Sequence, residues 1–394
     1  IVVDAVFSSI QAAIDAATAG DTVSIGNGVY NESLALKNGV NLVGESQAGV
    51  LINGTLTTPA QFDNTTVSSL TVTNTGVGGM LLDMTATTEV TSSVFSDATF
   101  KLTHDYSGAQ AIGNGQVNGS IALNGAGLAF DNVTMDAGDK QSGQTGFVYT
   151  LFHSVGDAQL TLDGVNLEGA NGGVGAQWNM SPNGGETAKV SILNSSTSGG
   201  GNFYVSGLAS ATITGNTFDG QGLALNGVSN GVVSGNTFQN IDGSITANGA
   251  QHRGLTIESA WGTPGDSNIS QNISAADGAI ALQRFMSNSG PQSLTNAQLS
   301  NVTVEGNTFT NVTQPLYLNP DSFGQGAFIP GTFEGPQFIT GSDGADSIDN
   351  STASGAVTIF AGAGVDTATF GAGFTLTFAN GHWQVSNGAL TDTL

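Results

Sequence analysis

Apolar and polar residues alternate over short runs through much of the chain, and each run ends at Gly, Asn or Asp. Alternation with a period of two predicts β-strands, and the frequent turn residues limit each strand to three or four residues. Strands this short suit the faces of a parallel β-helix better than an immunoglobulin-type sandwich. The first predicted strands are Thr22–Ile25, Ser33–Leu36, Val40–Val43, Val50–Ile52 and Thr55–Thr57.

A four-residue motif recurs after such runs: Gly215-Asn-Thr-Phe218, Gly235-Asn-Thr-Phe238 and Gly306-Asn-Thr-Phe309. Looser versions begin at Asp131, Asp163, Leu193 and Gln271. A unit that returns every few tens of residues predicts stacked coils, each with a strand, a tight turn and an inward aromatic side chain. We expect Asn216, Asn236 and Asn307 to be buried, where their amides bond to each other and to turn carbonyls.

The only helical pattern occurs near the start, at residues 7–19. Phe7, Ile10, Ile14 and Ala17 would share one face, Ser8 or Ser9 could cap the start, and Gly20 could end the helix. Because the first coil of a solenoid is otherwise uncovered, this helix is predicted to cap it. The alternative is a surface helix of an ordinary domain.

The opening residues are similar to those of a known family. Ser9-Ile-Gln-Ala-Ala-Ile14, Gly20-Asp-Thr-Val-Ser-Ile25 and Gly28-Val-Tyr-Asn-Glu-Ser33 together resemble the opening of the pectate-lyase-like superfamily. This resemblance implies an all-β fold, a right-handed parallel β-helix solenoid with an N-terminal capping helix. The superfamily includes both enzymes and non-catalytic surface proteins, so the resemblance does not select an activity.

Four prolines close together, Pro315, Pro320, Pro330 and Pro336, predict the end of the regular coils. Proline lacks the amide hydrogen that a strand ladder requires. The expected domains are therefore a β-helix over residues 1–338 and a tail over residues 339–394. The end of the tail, from Gly371 to Leu394, is predicted to form a final hairpin.

Two stretches of this tail resemble the Gly-Asp repeat of RTX proteins. Gly341–Asp349 matches with Ser342 in place of a glycine, and Ala361–Thr369 matches more loosely. The resemblance implies a small RTX-like β segment, type I secretion and a Ca²⁺ cofactor. The metal ligands it implies are carboxylates, at Asp343, Asp346, Asp349 and Asp366. The alternative is a Gly-Asp turn that only closes a hairpin.

Charge excludes several classes of partner. Six Lys and Arg against 30 Asp and Glu give a net charge of −24, which rules out unaided binding to nucleic acids or anionic membranes. Polyanionic glycans would also be repelled unless a cation bridged them. The chain has no cysteine, so it has neither disulfides nor thiol chemistry. No apolar run is long enough for a membrane span, and the termini lead us to expect a piece of a longer protein.

The segment from residue 252 to 284 holds the best candidates for chemistry. His252, Arg253, Glu258 and Arg284 could supply a base, a carboxylate and cations, and Trp261 could stack on a sugar. Alternatively, the arginines pair with neighbouring carboxylates and Trp261 covers a loop.

Two further features are weaker candidates. Lys101, His104, Asp105 and Tyr106 could abstract a proton, although adjacent residues of a strand face opposite sides, so that only alternate members could cooperate. Trp178 could be a second glycan-binding platform or part of a packed loop.

These observations predict an extracellular structural or adhesive surface module, calcium-stabilised and part of a larger bacterial protein. Its expected partner is an extracellular polysaccharide or cell-surface glycan, with self-association as a further option. The alternative is a polysaccharide lyase or C5-epimerase acting on an acidic glycan. The histidines show no zinc-binding spacing, and the Asp-Pro-His motif of alginate epimerases is absent from the sequence.

Overall fold

The structure is a computed structural model of the 394-residue chain. The residues it describes are 7–74, 81–102, 112–113, 121–136, 147–150, 152–168, 177–180, 188–198, 202–206, 208–220, 223–226, 230–241, 255–258, 280–281, 299–300, 302–305, 308–312, 323–325, 327–328, 332–333, 337–340, 347–350, 357–360, 367–371, 373–379, 382–386 and 391–393. No helix among these residues is long and apolar enough to cross a membrane.

The predicted helix is confirmed but is shorter than residues 7–19. Helix α1 spans Ile10–Ala16, and Ser9 caps it by accepting a hydrogen bond from the backbone N–H of Ala12. Ala17 already has extended backbone angles. The helix stops there because the Thr18 N–H donates to the Asp21 carboxylate at 2.7 Å instead of continuing the helical pattern.

Most strands in the first half of the chain are short, as the alternation predicted, but three of them are much longer than predicted, with 9, 14 and 16 residues. Their bounds are β1 Thr22–Ile25, β2 Gly28–Tyr30, β3 Leu34–Ala35, β4 Asn41–Gly44, β5 Val50–Asn53, β6 Leu56–Thr57, β7 Gln61–Asp63, β8 Thr66–Asn74, β9 Leu82–Asp83, β10 Glu89–Leu102, β11 Ile112–Gly113, β12 Ile121–Asp136, β13 Phe147–Thr150, β14 Phe152–Ser154, β15 Leu160–Asp163, β16 Asn166–Glu168, β17 Gln177–Met180, β18 Ala188–Leu193, β19 Ser196–Ser198 and β20 Asn202–Ser206.

The second half continues in the same manner. Its strands are β21 Leu208–Thr214, β22 Thr217–Asp219, β23 Leu223–Asn226, β24 Asn230–Ser234, β25 Thr237–Ile241, β26 Leu255–Glu258, β27 Ile280–Ala281, β28 Leu299–Ser300, β29 Val302–Glu305, β30 Thr308–Val312, β31 Phe323–Gln325, β32 Ala327–Phe328, β33 Thr332–Phe333, β34 Gln337–Thr340, β35 Ser347–Asn350, β36 Val357–Phe360, β37 Thr367–Phe370, β38 Thr375–Ala379, β39 His382–Ser386 and β40 Thr391–Thr393.

The chain divides into two compact units, residues 1–204 and 205–394. In the first unit, each coil pairs in parallel with the next along three ladders. The first ladder is β1-β4-β8-β10-β12-β15-β18, the second is β2-β5-β8-β10-β12-β16-β19, and the third is β3-β6-β9-β11-β13-β17. Parallel pairing between successive coils defines a parallel β-helix, so the predicted fold class is confirmed.

The second unit also contains parallel ladders. One runs through β21-β24-β29-β32-β35-β37 and another through β22-β25-β30-β33. The predicted final hairpin is confirmed, because β38 and β39 pair in antiparallel fashion. The domain boundary at residue 338 stays a prediction, as does the RTX-like character of the tail.

The core of the first unit is a set of rows formed by equivalent residues of successive coils. Phe95 stacks between Phe62 and Phe130, with ring centroids 5.8 Å and 5.2 Å away, and Phe100 meets its edge at 6.1 Å. All four rings are buried. Burying side chains of this size contributes about 1.5–3 kcal/mol each. The shared aromatic row holds neighbouring coils in register.

From β8 onwards, a left-handed residue separates the first ladder from the second in the described coils. In the first unit it is Ser69, Asp97, Asn132, Gly164 and Asn194 in turn, with φ between 46° and 62°. In the second unit it is Gly215 and Gly235, at φ of 70° and 60°. Gly, Asn and Asp tolerate this conformation best.

The next residue in each turn is buried, for example Val133, Val165 and Asn216. This corrects the register of the looser repeats. Asn132 and Asn194 are equivalent to Gly215, not to the buried Asn216.

Candidate functional site

An outward row of polar side chains follows the second ladder of the first unit. Its members, here called the polar row, are Cα partners on successive strands and are all half-buried: Thr71, Thr99, Thr134, Asn166 and Ser196. Each lies two residues after the left-handed turn residue. The next residue along each strand is buried, so strand alternation turns the polar row towards solvent.

A second row, the flanking row, lies two residues further along the same strands and extends to β5; Thr73 is buried in it, and the other members are half-buried or exposed. It consists of Asn53, Thr73, Lys101, Asp136, Glu168 and Ser198. Because paired strands lie about 4.8 Å apart, both rows repeat their hydrogen-bonding groups at that spacing. The two rows form a face lined by hydroxyl, amide and carboxylate groups.

Hydrogen bonds hold most of the polar row in place. Thr71 donates its hydroxyl to the Gln47 carbonyl at 2.8 Å, and the Gln47 side-chain amide donates to the Thr99 hydroxyl at 2.9 Å. Further along, Ser196 donates to Asn166 Oδ1 at 2.9 Å, and Asn166 Nδ2 donates to Glu168 Oε1 at 2.6 Å. Side chains fixed in this way lose little further entropy when a ligand binds.

Thr134, at the centre of the polar row, differs from its neighbours. Within the described ranges its hydroxyl has no hydrogen-bond partner, and the residue is half-buried. A hydroxyl can both donate and accept. Thr134 therefore offers a free hydrogen-bonding group at the centre of this face.

The charged groups of this face are mostly carboxylates. Lys101 forms an ion pair with Asp136, with Nζ and Oδ2 2.6 Å apart. At the adjacent turns, carboxylates accept hydrogen bonds from amides of the next coil: Asn132 Nδ2 donates to Asp97 Oδ1 at 2.7 Å, and Asn194 Nδ2 to Asp163 Oδ1 at 2.9 Å. The hydrogen-bond donors to these two carboxylates are therefore neutral amides and not basic side chains.

The second unit carries an equivalent row on β22, β25, β30 and β33. Thr217, Thr237, Thr308 and Thr332 are successive Cα partners, and Thr217 and Thr237 are half-buried. Beside them, the Asp219 carboxylate accepts from Gln239 Nε2 at 2.9 Å and from Asn240 Nδ2 at 2.8 Å. The second unit therefore repeats the chemistry of the first.

The structure places only some of the residues predicted from the sequence. Trp178 lies in β17 opposite Val148, Glu258 ends β26 opposite Asn226, and Asp349 lies in β35 opposite Thr369. The other predicted site residues lie outside the described residues: His252, Arg253, Trp261, Arg284, Asp343, Asp346 and Asp366. The predictions for these catalytic, glycan-binding and metal roles therefore stay predictions.

The predicted proton-abstraction group is described only at Lys101. Its ammonium is paired with Asp136, whereas His104, Asp105 and Tyr106 lie outside the described residues. Over the described part of the chain, no group of three or more His, Asp or Glu side chains is arranged to hold a metal ion.

Sequence reasoning missed the polar row although the signal was present. Two members of these rows, Thr217 and Thr237, are the third residue of the repeated four-residue motif. The corresponding residues of the looser repeats are Thr134, Asn166 and Ser196. The alternation of inward and outward residues would have placed these side chains on the exterior.

The chain is distantly similar to several solved structures. The chain is similar to the surface adhesin PfbA of Streptococcus pneumoniae, with 12% identity over 97% of this chain and 95% of that chain, and a TM-score of 0.46. Carrot pectin methylesterase is 11% identical over 72% of this chain and 86% of that chain, with a TM-score of 0.38.

The A-module of a mannuronan C-5 epimerase from Azotobacter vinelandii is 16% identical over 79% of this chain and 92% of that chain, with a TM-score of 0.28. No protein-family model matches the chain, and no curated protein matches it. Likenesses this distant assign no activity.

Proposed function

We propose that the protein is an extracellular structural or adhesive module of a larger surface protein, and that it binds a polysaccharide along the polar row. The observation that supports this function is the row itself, in which five hydroxyl or amide side chains occupy successive coils in register. A linear polymer lying along the row would meet the same type of group at every coil. Regular strands would hold these groups more rigidly than loops.

Binding along such a face requires no catalytic group. Each contact would be a hydrogen bond between a sugar hydroxyl and a side chain that is already ordered, as Asn166 and Ser196 are. Individual hydrogen bonds of this kind are weak, but a polymer that spans several coils makes several at once. Affinity should therefore rise with the length of the oligosaccharide.

The glycan-binding role is tested by measuring retention of oligosaccharides of increasing length on the immobilised full chain. Thr134→Val removes the free hydroxyl at nearly constant volume and should weaken binding. Thr66→Val is a matched control, because Thr66 is also half-buried and lies in the first ladder, away from the polar row. Equal loss in both variants, or retention independent of oligosaccharide length, would count against the proposed site.

Calcium belongs to this proposal as the ion that stabilises the tail and couples folding to secretion. The support is the match of Gly341–Asp349 to the Gly-Asp repeat, in which aspartate oxygens suit a hard cation. Asp343, Asp346, Asp349 and Asp366 would supply these oxygens. Calcium should then raise the unfolding temperature of the protein but not that of an Asp346→Asn, Asp366→Asn variant. An equal rise in both proteins would remove calcium from the proposal.

The alternative function is a polysaccharide lyase or C5-epimerase acting on an acidic glycan. Its support is the grouping of His252, Arg253, Glu258 and Arg284 within one segment of the sequence. Incubation with alginate and pectate in calcium would reveal a lyase by the ultraviolet absorbance of unsaturated products, and an epimerase by exchange of the C5 proton. If the protein turns over either glycan and the Arg253→Ala variant does not, the enzymatic function is correct and the adhesive function is wrong. Calcium-dependent light scattering would separately test self-association.

A further inference from the structure

The polar row also indicates which class of polysaccharide it can hold. Resting on the function proposed above, we infer that the polar and flanking rows of the first unit select an uncharged polysaccharide and reject polyuronates. The inference follows from three features of the face: its hydrogen-bonding groups, its carboxylates and the engagement of its lysines.

The hydrogen-bonding groups match the hydroxyls of an uncharged sugar. Thr, Ser and Asn side chains both donate and accept, as a sugar hydroxyl does. Glu168 adds an acceptor beside Asn166, whose Nδ2 lies 2.6 Å from Glu168 Oε1. Hydrogen bonds from sugar hydroxyls to a carboxylate are charge-assisted and therefore stronger than those between neutral groups.

The same carboxylates oppose a polyuronate. Asp136 and Glu168 are Cα partners on adjacent strands of the flanking row, and Asp131 and Asp163 are Cα partners just before the turn. A uronate chain lying along the polar row would bring its own carboxylates close to Glu168, Asp131 and Asp163, whereas the charge of Asp136 is balanced by Lys101. Like charges at such short range repel, and salt screens this repulsion only in part.

The lysines described in this unit are already engaged and cannot offset that repulsion freely. Lys101 is held by Asp136 at 2.6 Å. Lys189 donates to the Gly156 carbonyl at 2.7 Å and to Asp157 at 2.9 Å. Lys37 donates to the carbonyls of Asp15 and Ala17 at the end of helix α1. Binding a uronate would therefore require a bridging cation or the loss of an existing contact.

The test is calorimetric titration of the full chain with three oligosaccharides of equal length in a chelating buffer. The probes are a β-glucan, a polygalacturonate fragment and a chitosan fragment, each at low and moderate NaCl. We expect the β-glucan to bind with an affinity that NaCl does not change. Thr134→Val should weaken it about tenfold, whereas Thr66→Val should leave it unchanged.

The possible failures are distinguishable. Tighter binding of polygalacturonate than of β-glucan would overturn the inference while leaving a glycan-binding function intact. Tighter binding of chitosan than of β-glucan, weakened by NaCl, would also overturn the inference and leave a glycan-binding function intact. In that case the charge of the ligand, and not its hydroxyl groups, would determine binding. Absence of binding to all three probes, by a protein with a normal unfolding temperature, would remove the proposed function as well.

Discussion

Asn236 accepts two hydrogen bonds from Asn216 through one oxygen: Oδ1 lies 2.9 Å from the Asn216 backbone nitrogen and 2.8 Å from Asn216 Nδ2. The Asn236 amide also donates to the Ile213 carbonyl at 2.9 Å. Both asparagines are 1% exposed, so water cannot replace these contacts. The predicted asparagine stack is confirmed for this pair, and Asn307 lies outside the described residues.

Asn236→Ala should destabilise the second unit strongly. The substitution removes three buried hydrogen bonds, two from Asn216 and one to the Ile213 carbonyl, at a total cost of about 2–4 kcal/mol. The measurement is the urea midpoint of unfolding together with hydrogen exchange of the Asn216 amide. Asn240→Gly is the control, because Asn240 is exposed and left-handed. If both variants lose a comparable amount of stability, the buried hydrogen bonds between Asn216 and Asn236 contribute little to the stability of the second unit.

Gly164 should tolerate asparagine but not valine. It has φ of 62° and is equivalent to Asn132 and Asn194 in the adjacent coils, at 51° and 47°. An added Cβ would meet only Asn132 backbone atoms at an ordinary 3.5 Å, so the cost is conformational rather than steric. Gly164→Val should lose about 1–2 kcal/mol of stability and Gly164→Asn clearly less. Thermal unfolding distinguishes the two, and similar losses would contradict the proposed role of the left-handed turn.

Sequence patterns predicted local features well because these depend on neighbouring residues. The strand Thr22–Ile25 and the cap at Ser9 follow from alternation and from the chemistry of a helix start. The register of the looser repeats was wrong because Asn favours both left-handed turns and buried polar ladders. The left-handed φ of Asn194 and the hydrogen bond from the Val165 N–H to the buried Ser195 hydroxyl of the next coil show that Asn194 is the turn residue.

The candidate site was harder to predict because it is assembled across coils. Thr71 and Thr99 are joined through Gln47, which belongs to neither strand. A side chain that bridges two coils depends on how many residues each coil contains, and this number varies along the chain. In the sequence, residues with catalytic chemistry such as Arg253 are more conspicuous than rows of ordinary threonines.

Helix α1 should depend on two charges supplied by the segment around β3. Glu32 accepts from the backbone N–H groups of Ile10 and Gln11 at 3.0 Å and 3.1 Å, at the positive end of the helix. Lys37 donates to the Ala17 carbonyl at the negative end. A helix of seven residues is too short to be stable alone, so these contacts complement its dipole.

Glu32→Gln should therefore destabilise the helix by about 1 kcal/mol, seen as faster hydrogen exchange of the helix amides. Asp15→Asn is the control with the opposite expectation, because Asp15 lies near the negative end and its charge opposes the dipole. The account would be contradicted if both substitutions changed exchange in the same direction and to the same extent.

Asp157 should titrate below its ordinary range because of Lys189. A hydrogen bond from the ammonium, and its charge, lower the pKa of Asp157. Because the folded pKa lies below the unfolded one, this group stabilises the fold above the unfolded pKa, and the contribution disappears as pH falls through the folded pKa. The pH range in which this contribution to stability is lost therefore lies below about pH 4.

Nuclear magnetic resonance titration of the carboxyl groups tests this directly. In Lys189→Gln, the pKa of Asp157 should move back up towards its ordinary value. The pKa of Asp21 is lowered by hydrogen bonds from Thr18 instead, so it should not change and serves as the internal control. An unchanged Asp157 in the variant would contradict the role of the ion pair.

The most direct test of the polar row as a polysaccharide site is to map a bound β-glucan oligosaccharide by hydrogen exchange or by a structure of the complex. The account predicts contacts along β8, β10, β12, β16 and β19, at Thr99, Thr134 and Asn166 and the groups beside them. A glycan bound in the segment from residue 252 to 284 with the polar row untouched would contradict it.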